Sequence, residues 1–229
     1  MKHAVWDNLA KNYEENVLSL TKIPQRRKQI LNELKKGKIL NMGCGPTDYL
    51  NKALVNTGNS VVATDISQKM LNSAKNLFEH ENINYILCDS KNLLFKDNHF
   101  DSIISVNSII PEKRKDVFLM FEEIHRVLKK GGRCVAFSPS YDSAEKAAKD
   151  FGMNIKLDDK EYRMFDTGHW QCFHTDKTLE DALLKSGFEK HKIKKVFLKT
   201  NEEFAQIKKL YGVDTTKHPI HEYFLVAEK

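Results

Sequence analysis

The sequence has few cysteines, prolines and glycines, and their scarcity excludes several classes of protein. Its cysteines, Cys44, Cys88, Cys134 and Cys172, are scattered, and no pair has the CxxC spacing of a zinc or redox site. Free cysteines of this kind are commonly small buried hydrophobic residues. With only 5 prolines and 10 glycines among 229 residues, a disordered or fibrous chain is excluded. The sequence therefore predicts no metal site and a reducing environment.

The sequence also lacks a long apolar run. No segment approaches the roughly 20 apolar residues that a membrane span needs. Residues 1–8 are polar and lack the apolar core of a secretion signal. We therefore expect a cytoplasmic protein without a membrane partner. Hydrophobic residues make up 41% of the chain, enough for a sizeable core. The formal charge of +6 is compatible with RNA or an acidic substrate and diagnostic of neither.

Residues 38–50 organise the chain as a strand, a glycine turn and a helix. Residues 39–42 are apolar except for Asn41. Gly43 and Gly45 follow where the strand ends, and glycine lets the backbone turn sharply and approach a ligand closely. In open parallel sheets, small molecules bind at the carboxyl ends of the strands. The stretch therefore predicts a nucleotide-like site.

Strand and helix patterns alternate five times from residue 38 onward. Apolar runs predict strands at 39–42, 60–64, 83–88, 100–106, 133–138, 188–199 and 222–227. Amphipathic patterns predict helices at 4–20, 25–34, 48–56, 67–80, 112–130, 142–150, 176–186 and 202–211, with Gly131-Gly132 ending the fifth. Such alternation predicts an α/β fold whose early strands are parallel with right-handed crossovers.

No internal repeat, low-complexity run or linker divides the sequence, so we predict one domain over residues 1–229. Residues 1–36 form its N-terminal helices, in which Trp6 or Tyr13 is a candidate to cover a ligand cleft. Residues 151–174 show no clear hydrophobic periodicity and are rich in aromatic side chains. We predict that they form a lid over the substrate, and the alternative is that the aromatic side chains serve ordinary packing.

Aspartates end the second and third predicted strands. Asp65, 22 residues after Gly43, is placed to accept hydrogen bonds from a ribose diol, and Asp89 is placed to meet a base edge. The structural alternative is that each merely caps a helix or turn. The third glycine of GxGxxG is replaced by Asp48, which would repel a pyrophosphate. The pattern therefore favours a nucleoside without phosphates over NAD.

Four stretches then resemble the class I S-adenosylmethionine-dependent methyltransferases, of the type that includes ubiquinone and menaquinone methyltransferases. They are residues 39–46, residues 62–67, residues 86–90 with Phe100-Asp101, and residues 123–132. The resemblance implies a Rossmann-like, doubly wound, seven-stranded sheet that is mostly parallel, has an antiparallel last strand and carries helices on both faces. It implies transfer of a methyl group from S-adenosylmethionine to an oxygen or nitrogen of a small organic molecule, leaving S-adenosylhomocysteine.

The resemblance also implies which residues hold the cofactor. Gly43 and Gly45 would face its methionine part, Asp65 its ribose hydroxyls and Asp89 its adenine amino group. Asn107 would lie near the reactive sulfonium. The expected cofactor-binding residues are Tyr13, Asn41, Gly43, Cys44, Gly45, Asp65, Ile66, Met70, Asp89, Ser90, Val106 and Asn107.

Two residues depart from the family pattern. The family usually has Asp or Glu at the position of Asn41, and an amide cannot pair with the ammonium group of the cofactor. Thr47 replaces the third glycine of the family's GxGxG and narrows the turn. Both departures give slight support to a non-catalytic cofactor-binding partner protein as an alternative.

The chemistry is expected in residues 151–174. His169 and His174 are candidate general bases because histidine titrates near neutral pH. Trp170 and Phe165 are candidates to contact a flat acceptor. Methyl transfer is an in-line displacement that depends mainly on positioning, so a catalytic residue need not exist. The alternative for each histidine is a surface or hydrogen-bonded structural role.

A basic segment keeps a nucleic-acid substrate open. Residues 185–209 contain eight lysines and only three acidic residues. An extended basic patch is typical of RNA-phosphate contacts. However, the lysines flank apolar residues as on an edge strand, and few aromatic residues are interleaved for base stacking. A tRNA or rRNA methyltransferase is therefore the alternative enzyme.

Overall fold

The computed structural model describes residues 2–13, 17, 20–151, 155–166, 168–212, 214–216 and 220–229. The strands are β1 Lys38–Met42, β2 Ser60–Asp65, β3 Ile83–Leu87, β4 Phe100–Val106, β5 Leu128–Pro139, β6 Lys156–Asp158, β7 Arg163–Asp166, β8 His169–Cys172, β9 Lys190–Phe197 and β10 His221–Glu228. The helices are α1 Lys2–Leu9, α2 Pro24–Glu33, α3 Tyr49–Asn56, α4 Gln68–Leu77, α5 Arg114–Val127, α6 Tyr141–Phe151, α7 Asp176–Lys185 and α8 Asn201–Tyr211, with short 3-10 helices at Ala10–Asn12 and Leu20–Lys22.

The main sheet has seven strands in the order β3-β2-β1-β4-β5-β10-β9. Strands β1 to β5 pair in parallel, and β10 is antiparallel to both of its neighbours, β5 and β9. In the central strand β1, Ile39 lies opposite Val61 on one side and Ser102 on the other. Because β1 is covered on both faces, its sequence is a nearly continuous apolar run.

Helices cover both faces of this sheet, as expected from the sequence. On one face the core contains Phe121 and Ile124 of α5 and Leu179 of α7. On the other face it contains Ile30 of α2 and Leu54 of α3. The predicted fold, a mostly parallel seven-stranded sheet with an antiparallel last strand, is confirmed. In the described part of the chain, no helix is long and apolar enough to cross a membrane.

The predicted end of α5 was wrong. The helix ends at Val127, and Gly131 and Gly132 lie within β5 instead of terminating the helix. The Gly131 N–H donates to the Lys229 carbonyl, and the Lys229 N–H donates to the Gly132 carbonyl at 3.1 Å. A local pattern does not show this pairing, because its partner lies at the far end of the sequence.

Two further segments differ from their predicted structure. The N-terminal helix α1 ends at Leu9 and is followed by a 3-10 turn, and residues 14–16 and 18–19 of the predicted helix lie outside the described residues. Between α6 and α7, where the sequence showed no period, β6, β7 and β8 form an antiparallel sheet of their own. We call residues 155–166 and 168–174 the small-sheet segment.

The core of α5 gives a direct test of this packing. Phe121 is fully buried, whereas Leu119 on the same helix is 44% exposed. We expect Phe121→Ala to lower the free energy of unfolding by about 3–5 kcal/mol, since it leaves a cavity. The matched change Leu119→Ala should stay within about 0.5 kcal/mol. Urea unfolding followed by circular dichroism measures both, and similar losses in the two variants would contradict the packing described.

Candidate functional site

The turn after β1 requires glycine. Gly43 and Gly45 have φ of 66° and 64°, in the left-handed region that favours glycine. A Cβ at position 43 would lie 2.3 Å from the Cβ of Ser108. Ser108 is itself held, because its hydroxyl donates to the Met42 carbonyl at 2.7 Å. The turn therefore brings bare backbone to the carboxyl end of β1.

The Asp65 carboxylate joins the loops that follow β1 and β2. Its Oδ2 accepts from the Gly45 N–H and its Oδ1 from the Ser67 N–H, each at 2.9 Å. Burial raises the pKa of Asp65, and the backbone donors at Ser67 and Gly45 partly offset that rise. The carboxylate thus has a fixed orientation at the place where the sequence predicted a ribose partner.

Ser67 connects this centre to the N-terminal helix. Its side chain caps α4, accepting from the Met70 N–H at 3.2 Å. Its hydroxyl also donates to Oδ1 of Asp7 at 2.5 Å. Asp7 lies on α1, so this bond brings α1 against the carboxyl end of the sheet.

The N-terminal residues cover the glycine turn. The Tyr13 ring lies 3.7 Å from the position that a Cβ on Gly45 would take. Burial, with a further contribution from Asp65, raises the pKa of the Tyr13 hydroxyl, so it stays protonated. The Trp6 ring packs edge-on against His169 with centroids 5.0 Å apart. Trp6 therefore connects α1 to the small-sheet segment across the site.

A cavity of about 600 Å³ lies between these elements. This volume is in the range of small-molecule pockets. Ten of the expected cofactor-binding residues line it: Tyr13, Gly43, Gly45, Asp65, Ile66, Met70, Asp89, Ser90, Val106 and Asn107. The structure thus brings together residues from the N-terminal region and from the segments at the ends of β1, β2, β3 and β4.

Asn41 and Cys44 do not line the cavity, although the sequence placed both at the cofactor. Asn41 is buried, and its Nδ2 donates to Oδ1 of Asn51 at 2.8 Å, which ties β1 to α3. The Cys44 thiol lies 3.4 Å from the Gly45 carbonyl, and burial raises its pKa. Both residues therefore support the turn without lining the cavity.

The predicted acceptor residues Phe165 and Trp170 line the cavity, as does His169. The two aromatic rings meet edge-on with centroids 5.6 Å apart. The Arg163 guanidinium lies over the Trp170 ring, 5.2 Å from its centroid. These contacts fix the aromatic wall opposite the glycine turn.

His174, the other predicted general base, lies away from the cavity. It is fully buried, with Nε2 2.8 Å from the Ile109 carbonyl and Nδ1 3.3 Å from the Arg114 guanidinium. Burial and the neighbouring Arg114 lower its pKa to about 3. Both ring nitrogens are therefore engaged in the structure, and this position does not support a catalytic role.

Glu222 lines the cavity and was missed by the sequence analysis. Its Oε1 accepts from Nδ2 of Asn107 at 2.7 Å, and its buried Oε2 has no hydrogen-bond partner among the described residues. Burial raises the pKa of Glu222 to about 7. Asn107 has φ of 50°, an uncommon value for a residue other than glycine. The sequence signal for Glu222 was a single carboxylate at the start of the apolar strand predicted at residues 222–227.

A comparison with known proteins shows which family this chain resembles. Residues 40–136 match the family described as "Methyltransferase domain". The expected resemblance to class I S-adenosylmethionine-dependent methyltransferases is thereby confirmed. A demethylmenaquinone methyltransferase of Staphylococcus saprophyticus is 32% identical over 147 residues, which are 60% of this chain and 62% of that protein. The chain thus matches less than two thirds of the length of that relative.

Solved structures share the fold of this chain. An S-adenosylmethionine-dependent methyltransferase from Mesorhizobium loti has a TM-score of 0.67 and 20% identity, covering 92% of this chain and 99% of that one. A phosphoethanolamine N-methyltransferase from Haemonchus contortus, in complex with phosphomonomethylethanolamine and S-adenosylhomocysteine, has a TM-score of 0.62 and 18% identity. That match covers 90% of this chain and 52% of the other. At these identities the likeness shows the fold.

Among the described residues, no group of three or more His, Cys, Asp or Glu side chains is arranged to hold a metal ion.

The glycine turn can be tested by a pair of substitutions. Gly43→Ala meets both left-handed strain and the overlap with Ser108, whereas Gly58→Ala, with φ of 82° and no atom within 4 Å, meets only the strain. We expect Gly43→Ala to lower the free energy of unfolding by about 1–3 kcal/mol more than Gly58→Ala. Urea unfolding measures the difference, and equal losses would show that Ser108 moves aside.

The raised pKa of Glu222 predicts a pH dependence of stability. Its pKa is about 7 in the folded protein against an ordinary 4.5, so the folded state holds this proton more tightly. The resulting stabilisation is complete below pH 4.5 and is lost as the pH rises to about 7. Relative to Glu222→Gln, the native protein should lose up to about 3 kcal/mol of unfolding free energy over that window.

Urea unfolding from pH 4 to pH 8 checks this expectation. The exposed residue Glu202 supplies the control, because the difference between the native protein and Glu202→Gln should stay flat over the same range. A flat difference for Glu222→Gln as well would contradict the raised pKa.

Proposed function

We propose that this chain transfers a methyl group from S-adenosylmethionine to an oxygen or nitrogen of a small organic molecule. The observation that carries the proposal is the shared cavity. The glycine turn after β1 and the carboxylates after β2 and β3 line one end of it, and the aromatic wall of the small-sheet segment lines the other. A donor and an acceptor would meet between them.

The residues at the donor end fit S-adenosylmethionine. The cavity lining contains Asp65, Asp89 and Asp116, and its lysine, Lys91, lies 3.6 Å from Asp89 and 3.4 Å from Asp116. An acidic lining attracts a cationic ligand and repels a pyrophosphate. The donor carries both a sulfonium and an ammonium group, so the charges are complementary.

Asp65 retains capacity for a ribose diol. A carboxylate offers about four acceptor positions, and the backbone N–H groups of Gly45 and Ser67 occupy two of them. Asp89 would take the adenine end, with Ile66 and Met70 against the ring. The bound cofactor would supply the methyl group, and the chain would supply binding, orientation and exclusion of water.

The acceptor end favours a flat and mostly apolar molecule. Trp6, Met164, Phe165, Trp170 and Phe173 line it. We propose a quinol-like or similar aromatic acceptor that carries a hydroxyl or amine, and the demethylmenaquinone methyltransferase relative is named for a flat aromatic molecule. We further propose that residues 1–229 act as one domain, with residues 1–36 and 151–174 closing over the acceptor.

The basic segment gives weaker support to an RNA acceptor. On β9, Lys195 lies 3.3 Å from Asp176 and 3.7 Å from Asp142, so part of the positive charge is already neutralised. The remaining lysines of this edge strand alternate with partly buried residues. This arrangement is typical of a solvated edge.

Calorimetry with S-adenosylmethionine, followed by transfer of labelled methyl, tests the proposal. The acceptors offered are reduced demethylmenaquinone, a metabolite extract and bulk RNA. We expect donor binding and label in the small-molecule fractions. Label in RNA alone would reject the small-molecule acceptor, and no donor binding at millimolar concentration would reject the enzyme.

Asp65→Ala tests the donor end. Loss of a charged acceptor from the ribose diol should weaken S-adenosylmethionine binding by about 1.5–3 kcal/mol in calorimetry. Asp48→Ala is the control, because Asp48 lies in the same turn, pairs with Lys52 at 2.9 Å and is not part of the cavity lining. Circular dichroism confirms folding, and equal affinities in the two variants would show that the ribose is held elsewhere.

A further inference from the structure

We propose that Glu222 accepts the proton of the nucleophilic group of the acceptor, so that the acceptor presents a hydroxyl or amine N–H to the Asn107 end of the cavity. The inference rests on the proposed function and names the acceptor chemistry of the same site. It concerns β10, which lies outside the matched methyltransferase segment of residues 40–136.

The topology places Glu222 at the reactive edge of the sheet. Strand β10 is antiparallel to β5, so its first residues lie beside the carboxyl end of β5, with Glu222 opposite Pro139. Asn107 follows the last residue of β4, and its N–H donates to the Phe137 carbonyl at 3.0 Å. The carboxyl ends of β4 and β5 therefore converge on Glu222, at the position where the family resemblance places the sulfonium.

The two carboxylate oxygens of Glu222 have different surroundings. Oε1 is held by the Asn107 amide at 2.7 Å, which fixes the side chain. Oε2 is buried and has no hydrogen-bond partner among the described residues. A buried acceptor without a partner is costly, and a ligand that donates a hydrogen bond relieves that cost. The unpaired oxygen thus selects a ligand with an O–H or N–H group.

The charged and titratable groups around Glu222 leave it able to take up a proton near neutral pH. Arg26 of α2 opposes the rise in its pKa, and Glu203 of α8 adds to it. Arg26 is already paired with Glu203 through bonds of 2.8 and 2.5 Å. On β10 itself, the ring nitrogens of His221 lie 3.0 Å from the Ser140 hydroxyl and 3.1 Å from the Ser143 hydroxyl. Burial is the largest influence and raises the pKa to about 7.

Apolar side chains line the cavity near the start of β10, where the Leu198 N–H donates to the Ile220 carbonyl at 2.9 Å. Leu198, Ile207 and Ile220 line the cavity together with Glu222. Apolar walls of this kind disfavour the charged carboxylate and strengthen its hydrogen bond to a ligand. The same apolar side chains favour an acceptor whose atoms beyond the nucleophilic group are apolar.

The proton balance is simple. The acceptor loses the proton of its O–H or N–H group to Oε2 of Glu222 as its oxygen or nitrogen gains the methyl group. The electron pair of the broken carbon–sulfur bond stays on sulfur, so the donor leaves as the neutral thioether S-adenosylhomocysteine. The protonated Glu222 then returns its proton to water when the products leave.

The two predicted histidines are less suited to this step. His174 is engaged at both ring nitrogens and does not line the cavity. His169 lines the cavity but packs edge-on against Trp6, on the wall formed by α1 and the small-sheet segment. Glu222 instead accepts a hydrogen bond from Asn107, at the end of β4.

The experiment compares the native protein, Glu222→Gln and the exposed control Glu202→Gln. Gln keeps the size of the side chain and the bond to Asn107, but it cannot accept the proton. Calorimetry in the presence of S-adenosylhomocysteine measures binding of two flat probes, 1-naphthol and 1-methoxynaphthalene. We expect the native protein and Glu202→Gln to prefer 1-naphthol by about 10–100-fold and Glu222→Gln by less than about 3-fold.

Equal preference in all three proteins would overturn the proposal. A second measurement uses the native protein alone and does not depend on the folding of a variant. In the NMR spectrum of ¹³C-glutamate-labelled protein, a carboxyl resonance should titrate near pH 7 and shift when 1-naphthol binds. Absence of a resonance that responds to 1-naphthol would also overturn it. These readouts do not depend on turnover, so failure of the native protein to bind S-adenosylmethionine would reject the proposed function separately.

Turnover supplies the last readout. Labelled methyl transfer to the metabolite extract should fall by about 10²–10⁴-fold in Glu222→Gln, while its affinity for S-adenosylmethionine stays unchanged. An equal fall in donor affinity would instead assign Glu222 to cofactor binding and overturn the proposal. Loss of turnover in His169→Ala without loss in Glu222→Gln would also overturn it.

Discussion

The buried carboxylate of Asp65 is the contact on which the donor end of the site depends. Each of its oxygens accepts one backbone N–H, from Gly45 and from Ser67, so the loops after β1 and β2 cannot move independently. Ser67 in turn caps α4 and donates to Asp7 on α1. One charged group thus sets the position of the glycine turn, a helix start and the N-terminal cover.

This arrangement explains how a carboxylate can be held ready for a ligand in a buried place. An isolated buried charge is costly, but two backbone donors favour the charged form and limit the rise in the pKa of Asp65. The same bonds fix the rotamer before any ligand arrives, which reduces the ordering needed on binding. The same side chain therefore supports the turn and is placed for the ribose binding proposed above.

The sequence predicted the features that depend on short stretches of chain. The seven-stranded, mostly parallel sheet with an antiparallel last strand was implied by the family resemblance, and the position of Asp65 at a strand end followed from its spacing from Gly43. The sequence did not predict that Gly131 would pair with the C-terminus, that His174 would be buried, or that Glu222 would meet Asn107. Each of these depends on a contact between residues far apart in the sequence, and a local period carries no signal for such contacts.

The two ends of the cavity also differ in where their residues lie in the sequence. The donor end is built from β1, β2, β3 and the end of β4, which all lie in the matched segment of residues 40–136. The acceptor end is built mainly from α1, the small-sheet segment and β10, which lie outside that segment. Under the proposed function, a donor common to many enzymes would constrain the first set, whereas each acceptor would constrain the second differently. The acceptor preference would then depend on residues such as Trp170 and Glu222.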